Sequence, residues 1–225
     1  MTFIIAEAGS NHDGDLERAK KLIDIAVGAG ADAVKFQLIP PFKPEWIDPL
    51  IAHCGDSIEF MATPFNQAGI DALKGKVKRW KIAATEGADL DFVDAVVRAA
   101  EGQPVYLSDG AVDYPVEAEN ITPLACVIKY PAKEEDYHFL KGKWGLSDHT
   151  ENLILGPLAV AAGASVIEKH FTDDKDREGP DHNYALNPEE LKDYIRLIRF
   201  TEMIKNNPKK TITTYVGRKL QWPAQ

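Results

Sequence analysis

A chain of 225 residues with 35 acidic and 26 basic side chains carries a formal net charge of −9, which argues against a binder of nucleic-acid phosphate backbones. Hydrophobic residues at 44% and charged ones at 27%, with 16 Gly and 14 Pro, are ordinary globular composition rather than disorder or low complexity. No apolar run approaches the roughly 20 residues that span a bilayer, and the opening MTFIIAEAGS lacks a basic start and carries Glu7 in its apolar stretch, unlike a signal peptide, so a cytoplasmic protein with no membrane partner is expected.

The elements then follow a rhythm. Phe3 to Ala6 is a short β-branched run, and Gly9, Asn11, Asp13 and Gly14 form a loop behind it. From Asp15 to Ala29, Leu16, Ala19, Leu22, Ile23, Ala26 and Val27 recur at three- and four-residue intervals. That spacing predicts an amphipathic helix with Asp15 as N-cap and Gly30 as its stop. Strands are predicted at 33–36, 58–62, 79–83, 104–107, 124–128, 143–146 and 165–169, with helices at 67–73, 90–100, about 152–162 and 188–205. Two stretches break the pattern: 38–56 holds four prolines and room for one short helix, and 109–121 has no helical stripe. Cys54 and Cys126 are too few for a disulfide framework and read as reduced thiols.

Eight strands alternating with helices predict a parallel sheet buried on both faces and, at this length, a compact (β/α)8 TIM barrel with outer helices shortened or missing. A doubly wound open sheet is the alternative, but the loop GSNHDG does not match a nucleotide-binding glycine spacing. Residues 1–205 are read as the barrel domain and 206–225 as a basic, linker-like arm.

In such barrels the reacting groups project from the C-terminal strand ends. Here those ends read Glu7, Lys35, Thr63, Lys81, Ser108, Tyr130, Ser147-Asp148-His149 and Glu168-Lys169-His170. Charged side chains recurring in apolar strands are costly unless paired or liganded, so the set predicts an anion site. For each residue a structural role stays open. Lys35 and Lys81 could snorkel, and Thr63 and Ser108 could be turn hydroxyls. His149 and His170 could share one divalent cation or simply cap the core. Glu168 and Lys169 alternate across their strand, so one of them faces the helices. His12 and His182 lie in loops able to face the mouth, whereas His53 and His138 look peripheral.

The strings FIIAEAGSNHDGD, AGADAVKFQ, IEFMATPF, WKIA, LSDG, YPA, GLSDHT, GASVIEKHF and GPDH, in this order, resemble the sialic acid synthase family. Those enzymes condense phosphoenolpyruvate with N-acetylmannosamine or a related amino sugar on a (β/α)8 barrel. The resemblance implies that His149 and His170 bind a divalent metal, usually Mn2+. It implies that Lys35, Thr63, Lys81, Ser108 and Ser147 hold phosphoenolpyruvate, that Glu7 and Asp181 orient the sugar and manage protons, and that Tyr130 lines the pocket. Small-molecule partners and a homodimer are implied too. The chain departs from the family in stopping at Gln225 without an antifreeze-like domain and in shortened segments after VKFQ and LSDG. Ala84 also stands where a serine is usual, with Thr85 beside it as a substitute hydroxyl, and the usual Asn before YPA is absent. Two other readings keep the barrel: a lyase with Lys81 or Lys35 as Schiff-base nucleophile, and a non-catalytic binding subunit.

Overall fold

A computed structural model describes residues 1–109, 119–138 and 144–207. Its strands are β1 (Phe3–Gly9), β2 (Ala33–Gln37), β3 (Glu59–Thr63), β4 (Trp80–Ile82), β5 (Val105–Asp109), β6 (Ile121–Cys126), β7 (Gly145–Asp148) and β8 (Val166–His170). Among the described residues the α-helices are α1 (Leu16–Ala29), α2 (Ile47–Cys54), α3 (Gln67–Leu73), α4 (Leu90–Ala100), α5 (Leu155–Ala162) and α6 (Pro188–Lys205). All paired strands are parallel, in the order β3-β2-β1-β8-β7-β6-β5-β4. The two ends of that order, β3 and β4, lie side by side, so the sheet curls into a nearly closed (β/α)8 barrel. An open doubly wound sheet would leave them far apart. No helix among the described residues is long and apolar enough to cross a membrane.

Local sequence explains the helices that matter here. The Asp15 carboxylate accepts from the Glu17 and Arg18 N–H groups, and Gly30 ends α1 in a left-handed conformation. α6 opens on Asn187, whose side chain accepts from Glu190 N–H while Glu190 reaches back, with Pro188 in the first turn. The stretch 38–56 does hold one short helix, α2, behind a single 3-10 turn at Pro44–Trp46. The stretch without a helical stripe falls largely in 110–118, and the arm largely in 208–225, both outside the described residues.

Alternation along the strands separates two cores. Ile4, Ala6, Val34, Phe36, Phe60, Ala62, Trp80, Ile82, Leu107, Leu146 and Ile167 point outward and pack under the helices in one large cluster. The intervening residues point inward. Ile5, Ala33, Met61, Tyr106, Leu124 and Val166 form a second apolar cluster that fills the lower barrel. Two residues further along the same strands, the inward direction reaches Glu7, Lys35, Thr63, Ser108, Cys126 and Glu168. The barrel is thus apolar at the bottom and polar at the top.

Candidate active site

The polar layer surrounds a small, open-mouthed cavity of about 40 Å³ at the top of the barrel. Glu7, Lys35, Thr63, Lys81, Ser108, Tyr130, Ser147, His149 and His170 all line it, which brings together every strand-end residue singled out in the sequence as a site residue. Register does much of this: Glu7 lies opposite Lys35 on one side and His170 on the other. Asp181 joins from the loop after β8, where its Oδ2 is 3.8 Å from His170 Nδ1 and its Oδ1 accepts from the Tyr184 hydroxyl at 2.6 Å. Gly9, at φ +53°, lets these groups meet, because a Cβ there would fall 3.0 Å from Asp181 Oδ2 and 3.4 Å from Glu7 Oε1.

Two ammonium groups dominate one wall. Lys35 Nζ is 2.7 Å from Glu7 Oε2, 2.7 Å from Thr63 Oγ1 and 3.6 Å from Glu168 Oε2. Lys81 Nζ donates to Ser108 Oγ at 2.6 Å and lies 3.7 Å from Glu168 Oε1. Glu168 therefore stands between the lysines and also accepts from Ser147 Oγ at 2.8 Å. The sequence alone gives this residue no role, although its two-residue spacing to His170 puts both on the inner face and turns Lys169 toward the helices.

The carboxylates divide in character. Burial pushes both upward, but Lys35 and Lys81, with the Ser147 hydrogen bond, hold Glu168 down to about 2. Glu7 is pushed up to about 8 by burial, with Lys35 pulling the other way and the Glu168 charge adding to the rise. Lys35 is raised despite its burial because Glu168 and Glu7 face it; Lys81 is lowered by burial, with Lys35 as like-charged neighbour. The two environments thus favour the ionised form of Glu168 and the protonated form of Glu7.

The other wall is imidazole. Burial lowers His149, and lowers His170 to about 4, so both rings are neutral at pH 7. His149 Nδ1 is 2.7 Å from Val127 O, which only accepts, so Nδ1 carries the proton and the Nε2 lone pair faces the cavity. Ser147 lies 3.3 Å from Nε2, but its one proton goes to Glu168. His170 Nδ1 and Glu7 Oε1 are buried with no hydrogen-bond partner. The two rings are 5.5 Å apart between centroids, with the Tyr130 ring tilted against His149 at 4.4 Å. Among the described residues no three His, Cys, Asp or Glu side chains form a ready-made metal shell. Two neutral imidazoles with unsatisfied nitrogens, beside carboxylates, nevertheless fit a divalent first-row cation that takes its remaining ligands from water or substrate.

Several expectations are revised. His12 does not face the mouth; it is buried among Phe36, Phe42 and Trp46 and accepts from Gly14 N–H. His182 is buried too, its ring nitrogens taken by Thr172 at 2.6 Å and Asp13 at 3.0 Å. Thr85 does not substitute for a missing serine: it is exposed and bonds Glu86, leaving Ala83 and Ala84 at the cavity.

A family model, the NeuB family, matches residues 40–210. The chain belongs to the NeuB family. It is 35% identical to the spore coat polysaccharide biosynthesis protein SpsE of Bacillus subtilis over 97% of this chain and 71% of that protein. The SpsE crystal structure superposes with a TM-score of 0.81 over 92% of this chain and 70% of that one. An N,N'-diacetyllegionaminic acid synthase of Legionella pneumophila is 33% identical over 92% of this chain and 74% of its own length. The N-acetylneuraminic acid (sialic acid) synthetase of Leptospira borgpetersenii, solved with citrate, has a TM-score of 0.79 at 30% identity over 99% of this chain and 88% of that one. The resemblance carried by SDHT, EKHF and GPDH is borne out, and the barrel of this NeuB member matches theirs.

Proposed function

We propose that the chain joins phosphoenolpyruvate to the aldehyde carbon of an amino sugar or related aldose, giving a 2-keto acid of the sialic-acid type and phosphate. Membership of the NeuB family makes it an enzyme of the sialic acid synthase type. One observation supports the finer reading: two buried ammonium groups and two neutral imidazoles line opposite walls of a single cavity. Lys35 and Lys81, with the hydroxyls of Thr63, Ser108 and Ser147, grip the phosphate and carboxylate of the enol acid, whose dense acceptors favour charged donors. Bound by His149 and His170, a divalent cation such as Mn2+ would supply Lewis-acid polarisation of the aldehyde.

The enol C3 then attacks the aldehyde carbon, forming the carbon–carbon bond. Glu7, whose protonated form its burial favours, hands its proton to the aldehyde oxygen. Asp181, held by Tyr184, orients the sugar and accepts one proton from the water that adds to C2; the bond from C2 to the phosphorus-bearing oxygen then breaks, and phosphate leaves with the remaining hydroxyl proton as the C2 carbonyl forms. Tyr130 covers the imidazole side of the mouth.

A phosphate-release assay tests this reading. With phosphoenolpyruvate, Mn2+ and a panel of amino sugars and aldoses, release requires the sugar and the cation and is lost in EDTA and in His149→Ala. Release by none of the panel contradicts the synthase and leaves the binding-subunit reading. A second reading is a Schiff-base lyase: burial lowers Lys81 from the ordinary lysine range, which makes the amine form that attacks carbonyls more accessible than in a free lysine. Borohydride trapping of a pyruvate adduct in EDTA would support that chemistry.

A further inference from the structure

Behind the imidazoles, on the outer face of the barrel, lies a buried ion pair that the chemistry above does not use. Asp148 and Lys169 are register partners on β7 and β8, each immediately preceding an imidazole residue. Their side chains are 0% and 1% exposed and meet at 3.0 Å.

The pair does more than join two strands. The β7–β8 ladder ends at Asp148 and Lys169; beyond it the His149 N–H donates to the Tyr137 hydroxyl at 2.8 Å and its carbonyl accepts from Ala132 N–H at 2.9 Å, both from the β6–β7 side. On the β8 side Asp148 Oδ1 accepts from Thr150 N–H at 2.9 Å and Thr150 Oγ1 at 2.7 Å, bending the chain just past His149. Lys169 Nζ donates to Thr150 O and reaches Asn152 O at 3.3 Å, clasping the same bend from β8. Tyr194 of α6 closes the cluster, its hydroxyl donating to Asp148 Oδ2 at 2.8 Å and its ring 5.3 Å from Lys169 Nζ. Gly156 of α5 makes this possible, because a Cβ there would fall on the Tyr194 hydroxyl.

We propose that Lys169 and Asp148, backed by Tyr194, are positioning residues that hold the His149 and His170 rings at the spacing a shared divalent cation requires. The assignment rests on the metal reading above. A buried charge pair is weak support for stability alone, since apolar residues of similar volume often do as well. A role in geometry explains its location.

Mn2+ binding without substrate, followed by loss of the free-ion electron paramagnetic resonance signal, tests it. The charge-free double variant Asp148→Asn/Lys169→Met, shown folded by circular dichroism, binds Mn2+ roughly 10- to 100-fold more weakly, the usual cost of removing groups that orient metal-bound imidazoles. Tyr194→Phe, which conserves volume, weakens binding in the same direction and serves if the double variant does not fold. Arg199→Met removes the ion pair to Asp32 at 2.6 Å, which ties α6 to the other end of the barrel, and leaves Mn2+ affinity unchanged. Folded Asp148→Asn/Lys169→Met or Tyr194→Phe protein with wild-type affinity overturns the positioning role and leaves the metal reading standing, as does equal weakening by Arg199→Met. Failure of the wild-type chain to bind Mn2+ overturns both.

Discussion

Glu168 and Lys169 are neighbours with opposite fates: one sits between two ammonium groups inside the barrel, the other is clasped behind it. Composition and charge cannot separate them; only the pleat, counted back from His170, does. Glu168 supports the ionised form of Lys81, which burial and Lys35 lower. Glu168→Gln keeps an acceptor for Ser147 but removes that support, so Lys81 loses its proton at lower pH. If anion binding needs charged Lys81, the alkaline limb of the phosphate-release profile moves to lower pH; an unmoved limb contradicts this role. Lys35→Met removes the ammonium beside Glu7 and Glu168, leaving Glu168 with Lys81 and Ser147. Removing one partner of a buried ion pair costs up to about 3–5 kcal/mol of stability, read as a lower denaturation midpoint. Turnover in whatever remains folded falls roughly 100-fold or more, as when a donor to developing negative charge is deleted. The lysines and histidines of the site were legible because charged groups interrupt apolar strands at one repeated position. Glu86's capture of Thr85, and the aromatic box around His12, were not legible, because both depend on neighbours brought close only by folding.

At the scale of elements, the helices with explicit caps were the readable ones. α3, α4 and α6 occupy the ranges their spacing predicts. α5 starts at Leu155 rather than near 152 because the Asn152 side chain accepts from Ile154 and Leu155 N–H and so caps the helix from outside it. β6 runs Ile121–Cys126 instead of 124–128. Pro123 pairs with Leu107 of β5, and the ladder to β7 begins only at Leu124, so the ring interrupts nothing on that side. Val127 then leaves the strand and gives its carbonyl to His149. Asp15→Ala, removing the α1 cap, lowers stability by about 1 kcal/mol in urea unfolding. A second element contact is pH-dependent. Burial raises the Asp173 carboxyl, but hydrogen bonds from Lys21 of α1 and from Arg177 outweigh it and hold the group below the usual aspartate range. Its stabilisation is present above about pH 4 and is lost as pH falls through the depressed value. Asp173→Asn therefore unfolds more easily than wild type at pH 7, and the two midpoints converge toward pH 2; a gap that persists there contradicts the assignment.

For the molecule as a whole, the parallel βα alternation and the strand count made the barrel legible, while the seam between β3 and β4 and the split into an apolar lower and a polar upper interior came from register. The net charge of −9 runs against an anion-binding function. Surface charges are screened within about 8 Å at physiological salt, however, and the buried lysines set the field inside the cavity. The proposed synthase requires one cavity to hold a phosphorylated enol acid on its lysine wall and a cation on its imidazole wall. Anomalous X-ray scattering from a crystal grown with Mn2+ and phosphoenolpyruvate locates both. The expected result is one manganese peak within bonding distance of both His149 and His170, with the phosphate against Lys35 and Lys81. A peak bound elsewhere, or a phosphate seated away from both lysines, would contradict it.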